Sequence, residues 1–201
     1  MYQTTLNIKG SSPILLSCDR LANPIDKDAV RQKVLTNKQK KTYEDHLAIA
    51  RGQWEGSLYW DDEAGVIIPT QNIRATIING GKLSKLGMHL KRGLLCLDDF
   101  VPLEYGAKLT KDELWEGKYY DCRSVVIGKS RVMAYRPKFN PWSLTVNCIW
   151  DEKVIDEAQL IKSAVDAGKY VGLGGFRPEK GGMFGRFKVE SFKSMRIKDE
   201  S

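Results

Sequence analysis

The sequence predicts an α+β fold whose elements run β-α-β-β-α-β, and three observations predict it. Strict alternation of side chains opens the chain. Apolar spacing of helical period recurs near residue 75 and again near residue 160. A clean period-two run then crosses residues 142–150. Elements in this order build an antiparallel sheet with helices on one face and the other face open to ligands, the ferredoxin-like or RNA-recognition (RRM-like) arrangement.

Each element has a local reason. Tyr2, Thr4, Leu6 and Ile8 share one face of the first strand, Gly10-Ser11-Ser12-Pro13 ends it, and Ile14-Leu15-Leu16 resumes an apolar run. Thr70 is placed to cap a helix whose inner face carries Ile73, Ile77 and Ile78, and Asn79-Gly80-Gly81 weakens its end. Arg123–Tyr135 has strand composition through Val125, Val126, Ile127, Val132 and Met133, and Lys138-Phe139-Asn140-Pro141 turns the chain. Trp142, Leu144, Val146, Cys148 and Trp150 alternate as the next strand. Asp156–Lys169 is an amphipathic helix with Leu160, Ile161, Ala164, Val165 and Gly168 on one side, and Gly185–Phe192 closes the sheet with Phe187 and Val189.

The expected organisation is one RRM-like domain over 1–201 with excursions: a basic helical insertion at 19–56, a second insertion at 94–120 and a glycine-rich loop at 172–187. In the first, Asp26–Leu35 reads as a short helix and Thr36–Lys41 as exposed chain. Thr42 with Asp45 then caps a helix that buries Leu47, Ile49, Ala50 and Trp54. Ser57–Trp60 and Gly65–Ile68 read as short strands around Asp61-Asp62-Glu63-Ala64, and Thr110–Trp115 as a helical turn in a long connection.

Composition narrows the function classes. Of 201 residues, 42% are hydrophobic and 28% charged, ordinary for a globular chain. No apolar run approaches the roughly 20 residues of a spanning helix, and the first residues lack a signal-peptide pattern, so no membrane partner is expected. Cys18, Cys96, Cys122 and Cys148 stand singly, without metal-ligand spacing, and read as small apolar fillers in a reducing compartment; no metal or cofactor is expected. The net charge of +7 favours a polyanionic partner.

The positive charge and the aromatic rings fall in three places. The basic excursion carries Arg20, Arg31, Lys33, Lys38, Lys40 and Lys41. Lys129, Arg131 and Arg136 lie on or beside a predicted sheet strand, where they would meet phosphates on the free face. The glycine-rich loop interleaves Arg177, Lys180 and Arg186 with Phe176 and Phe184, a pattern that joins anion-binding amides to rings on which bases stack. Tyr135 and Trp142 flank a turn; Tyr135 is a further stacking candidate and Trp142 fits the core.

A glycine-rich loop between the second helix and the last strand resembles the hallmark of the RAMP superfamily of RNA-binding proteins, whose members include backbone and processing subunits of CRISPR effector complexes. Val66-Ile67-Ile68-Pro69-Thr70-Gln71-Asn72-Ile73-Arg74-Ala75 resembles that superfamily's entry into its first helix. The basic excursion sits where backbone subunits carry an insertion that crosses the bound strand. Nearly the full chain also resembles an uncharacterised family of tailed-bacteriophage proteins. The likeness is carried by Pro13-Ile14-Leu15-Leu16, Arg20-Leu21-Ala22-Asn23-Pro24, Gly128-Lys129-Ser130-Arg131-Val132-Met133 and Tyr170-Val171-Gly172-Leu173-Gly174 with Arg177-Pro178. The resemblances imply a protein of the bacterial host cytoplasm in phage nucleic-acid metabolism, a single-stranded DNA or RNA partner, and head-to-tail self-association.

Catalysis is not the expectation. His46 and His89 have no convincing partner in the sequence, the acids Asp61-Asp62-Glu63 and Asp98-Asp99 read as water-facing turns, and Gly128-Lys129-Ser130 lacks a phosphate-loop frame. Non-catalytic binding of a single strand is the leading expectation. A host protein complex as partner and a nuclease with an unrecognised site are the alternatives.

Overall fold

The computed structural model describes residues 1–128 and 130–197. Its strands are β1 (Tyr2–Gly10), β2 (Ile14–Leu15), β3 (Trp60–Asp61), β4 (Gly65–Pro69), β5 (Leu94–Cys96), β6 (Phe100–Pro102), β7 (Tyr120–Ile127), β8 (Ser130–Phe139), β9 (Ser143–Trp150) and β10 (Phe187–Arg196). The helices are α1 (Lys27–Asn37), α2 (Tyr43–Ser57), α3 (Thr70–Lys82), α4 (Gly87–Gly93), α5 (Lys111–Glu116) and α6 (Glu157–Asp166). The chain is thus mixed α+β with several antiparallel sheets. It forms two compact units: Met1–Ile14 with Asp61–Ala107 and Asn140–Ser201, and Leu15–Trp60 with Lys108–Phe139.

The first unit is built on a four-stranded sheet of order β10-β1-β9-β5. Alternation decides which face is covered. Thr4, Leu6 and Ile8 of β1 are buried together with Leu144, Val146, Cys148 and Trp150 of β9. Even the buried polar atom is satisfied, because Trp150 Nε1 donates to Thr4 Oγ1 at 2.8 Å. The opposite face is a polar ladder: Thr5 donates to Asn147 at 2.9 Å, Asn7 to Ser191 at 2.6 Å and Thr145 to Asn7 at 2.7 Å.

Helix α3 buries Ile73 and Ile77 and packs against α6. Here the sequence reading needs two corrections. Thr70 does not cap α3 from outside; it is the first helical residue, and its hydroxyl donates to the carbonyls of Asp98 and Asp99. Gly80-Gly81 does not loosen the helix either. Both glycines are buried inside it, and a Cβ at Gly80 would collide with the Ser163 carbonyl oxygen and come within 2.6 Å of Ala167 N. The glycine is what lets α3 and α6 touch backbone to backbone. Helix α6 starts at a reciprocal cap between Asp156 and Gln159, and its last part, Ala167–Val171, widens into a π-turn before Gly172.

The second unit packs α1 and α2 with the hairpin β7–β8 and the short helix α5. Thr42 and Asp45 cap α2 reciprocally, as the spacing predicts, and Asp26 caps α1 through Asp28 N and Ala29 N. Thr110 and Glu113 do the same for α5. Trp54 is fully buried and its Nε1 donates to the Tyr119 carbonyl at 3.0 Å.

Strand pairing overturns two further expectations and burial a third. The strand expected in the main sheet at Arg123–Tyr135 is instead a hairpin, β7 with β8, joined to β2 in a separate sheet. The strand that does fill the main-sheet edge is β5, Leu94–Cys96, inside the stretch expected to be a second insertion. Among the cysteines only Cys148 is buried filler; Cys18 and Cys96 are half-buried and Cys122 is exposed.

Gly80→Ala tests the close crossing. In an ordinary helix interior this change adds stability. Here overpacking should remove about 1–3 kcal/mol, and thermal unfolding should show Tm falling by about 2–4 °C for each kcal/mol lost in a chain of this size.

Candidate nucleic-acid interface

Charge is not shared evenly between the units. Lysines and arginines outnumber aspartates and glutamates sixteen to ten in the second unit and sixteen to fifteen in the first, so the second holds nearly all of the net +7. Most of the predicted contact residues lie there. Helix α1 exposes Arg31 and Lys33, and the chain between α1 and α2 carries Lys38, Lys40 and Lys41. Their surroundings differ. Lys38 pairs with Asp45 at 2.5 Å, and Lys41 Nζ donates to the Lys38 carbonyl at 2.7 Å, which folds this connection onto the start of α2. Lys33 and Lys40 are exposed.

Arg20 belongs to the scaffold more than to the surface. Its guanidinium donates to Asp28 at 2.8 Å and to the Glu55 carbonyl at 3.3 Å, tying the start of α1 to the end of α2. On the hairpin, Arg131 is exposed near the tip, opposite Val126, and Arg136 is half-buried opposite Asp121. Residues 131 and 136 differ by an odd number, so they project from opposite faces of the hairpin. Neither lies on the open face of the main sheet, where they were expected, because their strand is not part of that sheet. Lys129 lies outside the described residues.

The feature the sequence reading missed is a cluster of aromatic rings at the base of this hairpin. Trp115 lies 5.0 Å from Tyr120 and 6.1 Å from Tyr135, and those two tyrosines lie 5.6 Å apart. All three rings are half-buried. Arg51 covers the edge of the cluster: its guanidinium stands 5.7 Å from the Trp115 ring and 5.9 Å from the Trp54 ring. Glu55 at 2.8 Å and Asp112 at 2.5 Å hold it there. The cross-strand register explains the gathering, because Tyr120 opposes Pro137 and Cys122 opposes Tyr135 on one face. The signal in the sequence was the cap at Thr110-x-x-Glu113, which starts α5 and delivers Trp115, followed at once by Tyr119-Tyr120.

The glycine-rich loop lies in the first unit and is a folded element. Leu173 N donates to the Gly185 carbonyl at 2.8 Å, Gly182 N to Arg177 at 3.0 Å, Phe184 N to Phe176 at 3.2 Å and Gly185 N to Pro13 at 2.8 Å. These amides bond protein carbonyls, so they do not form the anion-binding nest the composition predicts. Gly185 has φ 72° and stands where a Cβ would strike the Leu173 carbonyl, which explains a glycine at that point.

The side chains of the loop divide. Phe184 is only 5% exposed and is a core residue, which corrects its reading as a stacking platform. Phe176 is 42% exposed and its ring lies 6.3 Å from that of Phe184. Arg177 is held inward by Glu179 at 2.6 Å and by the Gly174 carbonyl at 3.1 Å, so it braces the loop. Arg186 donates to the Lys169 carbonyl, and Lys180 is exposed. His46 is exposed on α2 in one unit and His89 on α4 in the other. Among the described residues no group of three or more His, Cys, Asp or Glu side chains is gathered for a metal ion.

The phenol of Tyr135 is pushed up to about 12, first by its hydrogen bond with Cys122 and then by burial beside the other rings. The sign is that of a raised acid: the stabilisation is complete below about pH 10, where the unfolded phenol titrates, and is lost as pH rises through about 12. In a 295 nm titration the step of Tyr135 should fall near pH 12, later than an ordinary phenol, and Tyr135→Phe should remove it.

Compared with known proteins, the chain matches no family model, and no curated protein matches it; its functional reading therefore rests on the geometry above.

Proposed function

We propose that this protein binds single-stranded nucleic acid without acting on it chemically, and that its second unit holds the strand. The carrying observation is that one unit combines nearly all of the net charge with the half-buried cluster of Trp115, Tyr120 and Tyr135. Phosphates track exposed Arg31, Lys33, Lys40 and Arg131, and bases stack on the ring cluster, a mode that reads little sequence. The glycine-rich loop has a scaffold role in this account, with Phe176 and Lys180 as its outward groups.

The fold supports a ferredoxin-like reading of the first unit. Counting only the main-sheet strands and the helices α3 and α6, the chain order is strand, helix, strand, strand, helix, strand, and the spatial order is fourth, first, third, second. That order supports the likeness to RAMP-type RNA-binding proteins, with the glycine-rich loop after the second of these helices. We extend the proposal to head-to-tail assembly along the strand in the cytoplasm of a phage-infected bacterium; a strict monomer in light scattering, with and without nucleic acid, would remove that part.

A second reading has its own observation. Val30 and Val34 of α1 and nearby Ile25 are exposed apolar side chains beside an open cleft of about 640 Å³ lined by Leu21, Pro24 and Ala29. Such a surface fits a protein partner, for a phage protein a host complex.

Fluorescence anisotropy with labelled single-stranded DNA, single-stranded RNA and duplex DNA across salt concentrations decides between them. The proposal expects single strands to bind more tightly than duplex, with affinity falling steeply as salt rises. Replacing Lys33 or Lys40 by alanine should flatten the salt slope by about 0.7 per residue. Folded protein that binds none of the three at low salt would remove the proposal and leave the protein partner.

A further inference from the structure

The first unit holds a second concentration of positive charge, on residues not assigned to strand binding. Between Glu63 and Asp98 the chain contains no acidic residue, yet it carries Arg74, Lys82, Lys85, Lys91 and Arg92. The unit as a whole is nearly balanced, so this is a local excess and not a share of a general one. Four of these cations, Arg74, Lys82, Lys85 and Lys91, line one open cleft of about 560 Å³ between α3 and α4. That volume is of the size that holds small ligands.

The cleft is built, not merely coated with lysines. Arg74 is half-buried and fixed by two bonds at 2.6 Å, from Nε to the Leu94 carbonyl and from Nη2 to the Lys91 carbonyl. Its charge is therefore held in place before any ligand arrives. The rest of the lining is of another kind: Ile78, Ala75 and Met88 are apolar, with Met88 58% exposed, and Asn79 adds one amide. A thioether and aliphatic carbons suit a flat ring, and an amide suits its donor and acceptor edge.

The backbone supplies an independent sign. Helix α3 ends in a turn where Leu86 N donates to the Gly81 carbonyl at 2.8 Å and Lys85 N to the Lys82 carbonyl at 3.1 Å. In this motif the residue at the position of Lys85 takes a left-handed conformation and is usually glycine. Here it is lysine, at φ 61°. Lysine is held there against the backbone preference for glycine, and its side chain lines the cleft.

We infer that the α3–α4 cleft binds a nucleoside phosphate, with the phosphate on Lys82, Lys85 and Lys91 in front of Arg74 and the base over Ile78 and Met88. The same chemistry has two sources, a free nucleotide or the phosphorylated end of a strand. The site lies within the first unit and does not depend on the strand-binding reading of the second.

The test is anisotropy of ATP bearing a methylanthraniloyl fluorophore, at low salt, with unlabelled competitors. Saturable binding is expected, displaced by ATP and AMP more effectively than by pyrophosphate, if free nucleotide is the ligand. Displacement by a 5′-phosphorylated oligothymidine but not by its 5′-hydroxyl form identifies a strand end instead. Lys85→Gly is the informative variant: it should keep or raise Tm while weakening binding several-fold, and Lys82→Ala with Lys91→Ala should weaken it further. Lys33→Ala with Lys40→Ala should leave nucleotide binding unchanged, which separates this site from the second unit. No saturable binding, pyrophosphate competing as well as ATP, or full affinity in Lys85→Gly would each overturn the inference.

Discussion

The contact on which the first unit depends is the crossing of α3 and α6, where Gly80 lies against the Ser163 carbonyl. A side chain there would push the two helices apart, and both helices cover the buried face of the four-stranded sheet. The crossing also decides where things end. Helix α3 can run on to Lys82 only because Gly80 and Gly81 are tolerated inside it, and so the turn at Lys85 and the basic cleft beyond it are placed by the same packing. In α6 the register that brings Ser163 to Gly80 leads directly into the π-turn at Ala167–Val171 and on to the glycine-rich loop.

The second unit rests on different physics. Its core sets fully buried Trp54 and Phe139 among Leu15, Leu16, Leu58 and Leu114, and its charge is predominantly basic. Arg51 joins the two, because its carboxylate partners hold a cation against the rings of Trp54 and Trp115. Rings that are half-buried keep one face fixed by packing, so under the proposed function a stacked base would meet a surface that is already ordered. Under the proposed function, the exposed cations of this unit would give attraction at long range and the rings contact at short range.

How much was legible in the sequence depended on range. The cap of α2 was legible because it is a four-residue event: Thr42 with Asp45 acts where its spacing predicts, and the helical turn read at Thr110–Trp115 is present as α5. Strands β1 and β9 were legible because alternation is local and burial follows it. Strand partners were not. Arg123–Tyr135 has the composition of any strand, and nothing within it says that it pairs with itself as a hairpin and not with β9. Leu94–Cys96 is three residues long and too short to show a period, yet it completes the main sheet. The glycines misled in the same way. A glycine read alone means freedom, whereas Gly80 and Gly185 are there because another backbone lies against them. Phe176 and Phe184 look equivalent in the sequence, and only the fold turns one inward and leaves the other half open. The ring cluster needed three segments, at 115, 120 and 135, to meet.

The measurement closest to the central claim is photo-cross-linking of single-stranded nucleic acid to the protein, followed by peptide mapping of the adducts. The account predicts adducts on the peptides containing Trp115, Tyr120 and Tyr135. Adducts confined to the glycine-rich loop around Phe176, or to the polar face of the main sheet, would contradict it.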